Sequence, residues 1–338
     1  MNKFLIVRLG ALGDVIHAIP VAAALRNQYP QAHIDWLVDA RYLPLLDLVQ
    51  CLDRRIAIDP RDIRRGRPKR TSFLDTVRDL RETQYDACID LQGLLKSAML
   101  ARAVRARRTV GFPRRHLRES AARLFYTDAP DPGAARHVID KGLALLPSLG
   151  VDDLRVHFPI SIPRTPAVES VIGRFPNGYA IVNPAAAWPN KRWPPERYGA
   201  VASAVRVQFG FRSIILWGPG EQSLASAVAA ASLGAAEVAP PTSVPDVVGL
   251  ARHAKLMVSG DTGPLHIAGA VGTPIVALFG PTQPERNGPW SPLDISVSRV
   301  GQCLCLYERR CRRKTPCIDD IAVDEVVNAA KHRLQTHG

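Results

Sequence analysis

Ser259-Gly-Asp-Thr-Gly-Pro-Leu-His266 follows an apolar run that ends at Val258 and precedes the small-residue stretch Ile267 to Ala270, so the segment reads as strand, tight turn and helix start. A turn of this kind aims backbone N–H groups and the positive end of a helix dipole at one point. That point suits a phosphate or pyrophosphate. Gly260 and Gly263 carry no Cβ and let the backbone come close to a ligand. Pro264 fits the first helical turn, where its missing N–H costs nothing. Asp261 and His266 add a carboxylate and an imidazole at the mouth of the turn. Taken alone, Asp261 or Thr262 fits an ordinary helix N-cap just as well.

Outward from this turn, strand and helix signals alternate along the chain. Phe4 to Val7, His33 to Val38, Ile56 to Ile58 and Ala87 to Leu91 read as strands of the first half. An amphipathic helix is expected from the Gly10–Gly13 turn to about Gln28, with further helices over Thr71 to Glu82 and from about Leu95 to Ala103. Residues 161–176, with Pro163, Pro166 and Pro176, read as an inter-domain linker. The rhythm restarts with strands at Tyr179 to Asn183, Ser213 to Trp217, Leu256 to Ser259 and Ile275 to Phe279, and a last helix at Val323 to Leu334. The expectation is an α/β protein of two doubly wound, mostly parallel halves, 1–160 and 177–338, with a ligand in the cleft between them at the strand C-termini.

The bulk numbers agree with two cores: 338 residues, 46% hydrophobic and 22% charged. No apolar run approaches the roughly 18 residues of a membrane span. Met1-Asn-Lys3 leads straight into a strand interrupted by Arg8 and Asp14, which is not a signal-peptide pattern, so a cytoplasmic location is expected. The formal net charge is +13, and from Arg61 to Arg123 there are 17 Lys or Arg against 7 Asp or Glu, a net of +10. Such a local excess attracts a polyanion, whether nucleic acid, anionic lipid or a phosphorylated glycan. Cys51 and Cys88 read as core residues, whereas Cys303, Cys305, Cys311 and Cys317 cluster without the C-x-x-C pairs of ordinary zinc sites and read as a structured loop.

The residues with chemical potential fall just after strands. They are Asp14 in the first loop, Gln92, Lys96 and Ser97 after Ala87–Leu91, and Lys191 in Trp188-Pro-Asn-Lys-Arg-Trp-Pro194. Glu221 in Gly218-Pro-Gly-Glu221, Asp261 and His266 complete the set. Asp14 alone also reads as a helix cap. Lys191, flanked by Trp and Pro, is placed to meet a diphosphate, and Glu221 could accept ribose hydroxyls. The first loop is Gly10-x-x-Gly13 rather than G-x-G-x-x-G, which argues against a dinucleotide-dependent dehydrogenase; there is no P-loop motif and no metal-binding motif. A nucleic-acid-binding protein remains a rival on charge alone, but the basic segment lacks interleaved aromatics and a recognition motif.

These residues also carry a resemblance. Phe4-Leu-Ile-Val-Arg-Leu-Gly-Ala-Leu-Gly-Asp-Val-Ile-His17 resembles the opening of the bacterial heptosyltransferases, glycosyltransferase family nine. Asp90-Leu-Gln-Gly-Leu-Leu-Lys-Ser97 looks like the signature of heptosyltransferase I. Trp188–Pro194, Trp217–Glu221 and Gly260–His266 match the donor-side motifs, so five ordered motifs span about residues 3 to 290. The resemblance implies a GT-B fold of two Rossmann-like domains and an inverting transfer that needs no metal and no cofactor. The implied donor is ADP-L-glycero-D-manno-heptose and the acceptor the Kdo of Kdo2-lipid A. An enzyme of that kind would be peripheral to the cytoplasmic surface of the inner membrane and would bind no nucleic acid. Asp14 matches the catalytic base, and Lys191, Glu221, Asp261, Thr262, Gly263 and His266 match donor-binding positions. Arg61, Arg64, Arg65, Lys96 and Arg118 stand as acceptor-binding cations. Ala185-Ala-Ala187 stands where heptosyltransferase I often has hydroxyl residues, and the Cys303–Cys317 cluster resembles other branches of the family. Transfer onto a heptose, as in heptosyltransferase II, is the nearest alternative.

Overall fold

The computed structural model describes residues 1–59 and 70–336. Arg61, Arg64 and Arg65 therefore lie outside the described residues. The chain forms two compact units, Met1–Ser161 and Ile162–Gly338.

The first unit is built on a five-stranded parallel sheet with β1 (Lys3–Val7), β2 (His33–Asp39), β3 (Arg54–Ile58), β4 (Ala87–Asp90) and β5 (Arg108–Val110). The order across the sheet is β3-β2-β1-β4-β5. Phe4 to Val7 and Ala87 to Asp90 are fully buried, as the central strands of a sheet covered on both faces must be. Helix α1 (Leu12–Gln28) differs from its expected amphipathic form, since every residue from Val15 to Leu25 is buried. A second helix explains this. Helix α4 (Val138–Leu143) packs on the side of α1 that an amphipathic helix would leave in water, and an added Cβ on Gly142 would come 3.1 Å from Val21 Cγ2. Helices α2 (Arg70–Glu82) and α3 (Leu95–Ala103) complete the unit. Leu80, Leu100 and Ala101 join Leu5, Val7, Leu37 and Cys88 in its core.

The second unit carries six parallel strands, β6 (Tyr179–Asn183), β7 (Arg212–Ile215), β8 (Ala236–Val238), β9 (Leu256–Gly260), β10 (Ile275–Phe279) and β11 (Ile295–Ser298), in the order β11-β10-β9-β6-β7-β8, with helix α6 (Pro195–Phe209) between β6 and β7 in the chain. Both sheets thus run outward in two directions from their first strand. The order reverses between β1 and β4 in the first unit and between β6 and β9 in the second. Ligands of doubly wound sheets bind outside the carboxyl ends of the strands at such a reversal.

The expected linker, residues 161–176, belongs from Ile162 onward to the second unit and is structured there. It holds helix α5 (Pro166–Arg174), with Thr165 at the N-cap and its Oγ accepting from the Val168 N–H at 3.3 Å. Pro166 occupies the first turn, so its ring helps to start the helix. Val168 and Val171 are buried against α8 (Val244–His253), whose Gly249 leaves room for them: a Cβ there would stand 2.7 Å from Val168. The prolines that look like linker punctuation are here a helix start and its flanks. Among the described residues, no helix is long and apolar enough to cross a membrane.

Candidate functional site

In the second unit the order reversal brings two loops together. One leaves β6 at Asn183 and runs to Lys191; the other leaves β9 at Gly260. The Asn183 side-chain amide donates to Ser259 Oγ at 2.9 Å and to Thr262 Oγ1 at 2.8 Å, which ties the loops at their roots. Thr262 sits at the N-cap of helix α9 (Gly263–Ala270), but its hydroxyl is engaged by Asn183 and no side chain caps the first turn. Pro264 is in that first turn, as its ring predicts. The turn at Thr262 therefore leaves the positive end of α9 open to an anion instead of closing it with its own hydroxyl. Gly260 matters for closeness, because a Cβ there would lie 3.2 Å from the Lys191 carbonyl.

Asp261 is the hub. Its Oδ2 accepts from Lys191 Nζ at 2.5 Å and Thr282 Oγ1 at 2.8 Å; its Oδ1 accepts from Asn287 Nδ2 at 2.7 Å and lies 3.3 Å from His266 Nε2. The carboxylate and imidazole expected at the mouth of the turn are instead buried. For the carboxylate the reason is the segment after β10, whose Thr282 and Asn287 both donate to it. Burial by itself raises the carboxyl pKa. The His266 hydrogen bond and the charges of Lys191 and His266 outweigh it and hold Asp261 well below the usual carboxylate range.

Lys191 is held as its Trp- and Pro-flanked sequence suggests. It ends a short 3-10 turn, Pro189–Lys191, and its ammonium lies 4.6 Å from the centre of the Trp188 ring. The Arg309 guanidinium stands 5.8 Å from the same ring, so two cations flank one indole. Arg309 belongs to the cysteine-bearing loop, which is braced against this site: Asn190 Nδ2 donates to the Glu308 carbonyl at 2.9 Å. Within that loop Cys303 Sγ and Cys305 Sγ are 3.6 Å apart. Burial, then the hydrogen bond with Cys303, pushes the Cys317 thiol up to about 12, so it is protonated at neutral pH. Among the described residues, no group of three or more His, Cys, Asp or Glu is arranged to hold a metal ion. Glu221, at the start of helix α7 (Gln222–Ala231), accepts from the Gly218 N–H at 2.9 Å and so closes its own turn. Among the described residues, no hydrogen bond or ion pair joins it to the Asp261 cluster.

The reversal point of the first unit holds Asp14. Its Oδ1 lies 2.8 Å from Arg8 Nη2, and its Oδ2 accepts from the Ala11 N–H at 3.1 Å, at the start of α1. Both readings of this residue thus have a geometric basis: one carboxylate oxygen serves the helix start and the other faces a guanidinium. Arg8 also donates to the Leu91 carbonyl, and Gln92 Oε1 accepts from the Leu9 N–H at 2.8 Å, so the loops after β1 and β4 are pinned together. Buried Asp90 organises the second of these loops, accepting from Gln92 N, Gly93 N, Ser97 Oγ and Tyr126 Oη at 2.7–3.2 Å. Lys96 and Arg118 are exposed, and among the described residues neither has an acidic side chain within salt-bridge distance.

The sequence pattern does not single out Arg8, Thr282, Asn287 or Arg309 as site residues. Thr282 stands just past β10, and the same strand-end rule that selects Lys191 and Asp261 selects it. Arg309 has no local signal, since it reaches Trp188 from a loop more than a hundred residues away.

The sequence profile described as glycosyltransferase family 9 (heptosyltransferase) matches residues 73–316. Lipopolysaccharide heptosyltransferase 1 of Pseudomonas aeruginosa is 27% identical over 320 residues, covering 91% of this chain and 87% of that protein. An Escherichia coli heptosyltransferase, WaaC, solved with ADP, superposes with a TM-score of 0.73 at 26% identity, over 91% of this chain and 96% of that one. A family 9 glycosyltransferase of Veillonella parvula superposes with a TM-score of 0.81 at 23% identity, over 99% and 97% of the two chains, and speaks for the fold alone. The two Rossmann-like units are those of the GT-B architecture.

Proposed function

The chain belongs to glycosyltransferase family 9, the heptosyltransferases, and from that premise we propose that it transfers L-glycero-D-manno-heptose from ADP-heptose to the Kdo of Kdo2-lipid A in lipopolysaccharide core synthesis. The observation that carries the donor half is the Lys191–Asp261 pair at 2.5 Å beside the open N-terminus of α9, at the order reversal of the second sheet. A nucleoside diphosphate placed there meets a fixed ammonium and a helix dipole together. The solved relative with ADP supports a nucleotide of that kind.

In this reading Asp14 takes the proton from the acceptor hydroxyl as that oxygen attacks the anomeric carbon, with inversion. The bond to the ADP oxygen breaks, and the charge that develops on the diphosphate is met by Lys191 and the first turn of α9. Asp261 and His266 hold Lys191 in place. The carboxylate of Glu221 serves the ribose through the oxygen its own turn leaves over. Lys96 and Arg118 of the first unit meet the carboxylates and phosphates of the acceptor, and Arg61, Arg64 and Arg65 join them on the strength of the sequence alone. The location is proposed as cytoplasmic and peripheral to the inner membrane.

Product analysis decides the substrate: ADP-heptose is offered with Kdo2-lipid A or with a core already carrying one heptose. Heptose on Kdo is the expected product. Transfer only to the heptosylated core would assign the heptosyltransferase II reaction instead.

Two further outcomes are expected here. Lys191→Ala raises the donor Kd and lowers turnover together, since the ammonium contacts the diphosphate in both the bound and the departing state. Isothermal titration with ADP and steady-state rates check this, and unchanged values in both would remove Lys191 from the site. The double variant Lys96→Ala, Arg118→Ala raises acceptor KM and flattens its dependence on salt while donor KM stays within about twofold. A shift in donor KM alone would reassign these cations.

A further inference from the structure

Helix α3 turns Ser97, Ala98, Leu100 and Ala101 into the core and leaves Leu95, Lys96, Met99 and Arg102 exposed. Those four fall at i, i+1, i+4 and i+7, which is one face of a helix. The 3-10 segment Ser120–Phe125 packs beside α3. Glu119, just before it, locks the two together by accepting the Leu95 N–H at 2.7 Å. This segment exposes Leu124. Among the described residues of the first unit, the exposed large hydrophobic side chains are Met1, Leu95 at 37%, Met99 at 52% and Leu124 at 72%. Two of the four stand on the exposed face of α3 and a third, Leu124, on the segment packed beside it.

The charge around them is one-sided. Residues 93 to 125 carry nine Lys or Arg and a single acid, Glu119, whose carboxylate is engaged by the helix start. Lys96, Arg102, Arg114 and Arg118 are exposed and have no acidic side chain within salt-bridge distance among the described residues. Aliphatic tips set among unpaired cations match one kind of partner, an apolar layer under a negatively charged surface. Nucleic acid would use the cations but offers nothing to Met99 and Leu124, and the exposed residues of α3 include no aromatic side chain for stacking bases. A second copy of the same face would bring like charges together.

We propose that the exposed face of α3, with Leu95 and Met99, together with the adjoining Leu124 and the exposed cations Arg102 and Arg114, docks on an anionic phospholipid bilayer and sets the first unit against the membrane. The proposal deepens the membrane-peripheral reading and rests on it for the identity of the bilayer. Met99 and Leu124 enter the headgroup region while the cations meet lipid phosphates.

The test uses the full chain and co-sedimentation with two vesicle types, phosphatidylglycerol mixed with phosphatidylethanolamine, and phosphatidylcholine alone. The wild type binds the anionic vesicles, and binding weakens with salt. The double variant Met99→Glu, Leu124→Glu binds them about tenfold more weakly or less, yet keeps its melting temperature and its turnover on a water-soluble Kdo acceptor without acyl chains. Leu233→Glu, at a still more exposed leucine of the second unit, changes nothing. Equal binding of the wild type to both vesicle types, or no binding to either, overturns the proposal. So does a double variant that loses turnover on the soluble acceptor, because the face would then serve the acceptor sugar or the fold. Vesicle binding needs neither donor nor acceptor. A failed transfer to Kdo would therefore sink the substrate reading and leave this result standing.

Discussion

Replacing Asp14 with Asn is expected to lower turnover by about 100-fold or more while donor affinity and melting temperature stay near those of the wild type, the scale on which a lost general base shows. The choice of Asn separates the two jobs this side chain holds. The carboxamide oxygen still accepts from the Ala11 N–H, so the start of α1 survives. It cannot take a proton, and it no longer neutralises Arg8. Arg8 keeps its bond to the Leu91 carbonyl and stays in position, so the loss is chemical and not a collapse of the loop. Rapid-quench turnover beside a thermal melt makes the comparison. Near-normal turnover in Asp14→Asn would reduce Asp14 to a helix-start residue.

Asp261→Asn is expected to damage binding and stability together. The side chains of Asp261 and Lys191 are only 5% and 13% exposed, so removing the acid strands an ammonium where water reaches it poorly. Breaking a buried pair costs about 3 kcal/mol, which for a unit of this size lowers the melting temperature by roughly 6–12 °C. Donor affinity falls as well, because Lys191 loses the anchor that aims it. The pH dependence has a definite sign. The folded-state pKa of Asp261 is depressed, so its contribution is present above the unfolded carboxylate value of roughly 3.9 and is lost as pH falls through the folded value. The part of the stability gap between variant and wild type that comes from the Asp261 carboxylate therefore narrows in acid. Chemical denaturation at pH 6, 4 and 3 reads it; a gap that fails to narrow as the pH falls would assign the stabilisation to another group.

Both variants touch residues that were legible as candidates before any tertiary contact was known, and the reason is local. Parallel strands buried on two faces are short apolar runs, and each is followed by a turn whose Gly, Pro and Asp mark the place. Phe4–Val7, Ile275–Phe279 and the turn at Gly260 need nothing beyond their own neighbours to be read. The strands that escaped notice, β5, β8 and β11, are all at sheet edges. Arg108-Thr-Val, Ala236-Glu-Val and Ile295-Ser-Val-Ser pack less completely and tolerate polar residues, so they leave no continuous apolar run. The prolines of residues 161–176 misled for the opposite reason: Pro at a helix start and Pro in a linker have the same local signature, and only the burial of Val168 and Val171 tells them apart.

By itself the sequence determined the alternation of strand and helix, the division into two α/β halves, and the strand-end positions of Asp14, Lys191, Glu221 and Asp261, because periodicity and turn chemistry act over a few residues. The tertiary structure alone decided which strand lies beside which, and hence that the loops of Lys191 and Asp261, 70 residues apart, meet at one order reversal. It also decided that Asp261 accepts from Thr282 and Asn287, that Arg309 shares Trp188 with Lys191, and that Asp14 faces Arg8. These are pairings across long stretches of chain, and their energy depends on burial and charge that arise only when the sheet has assembled.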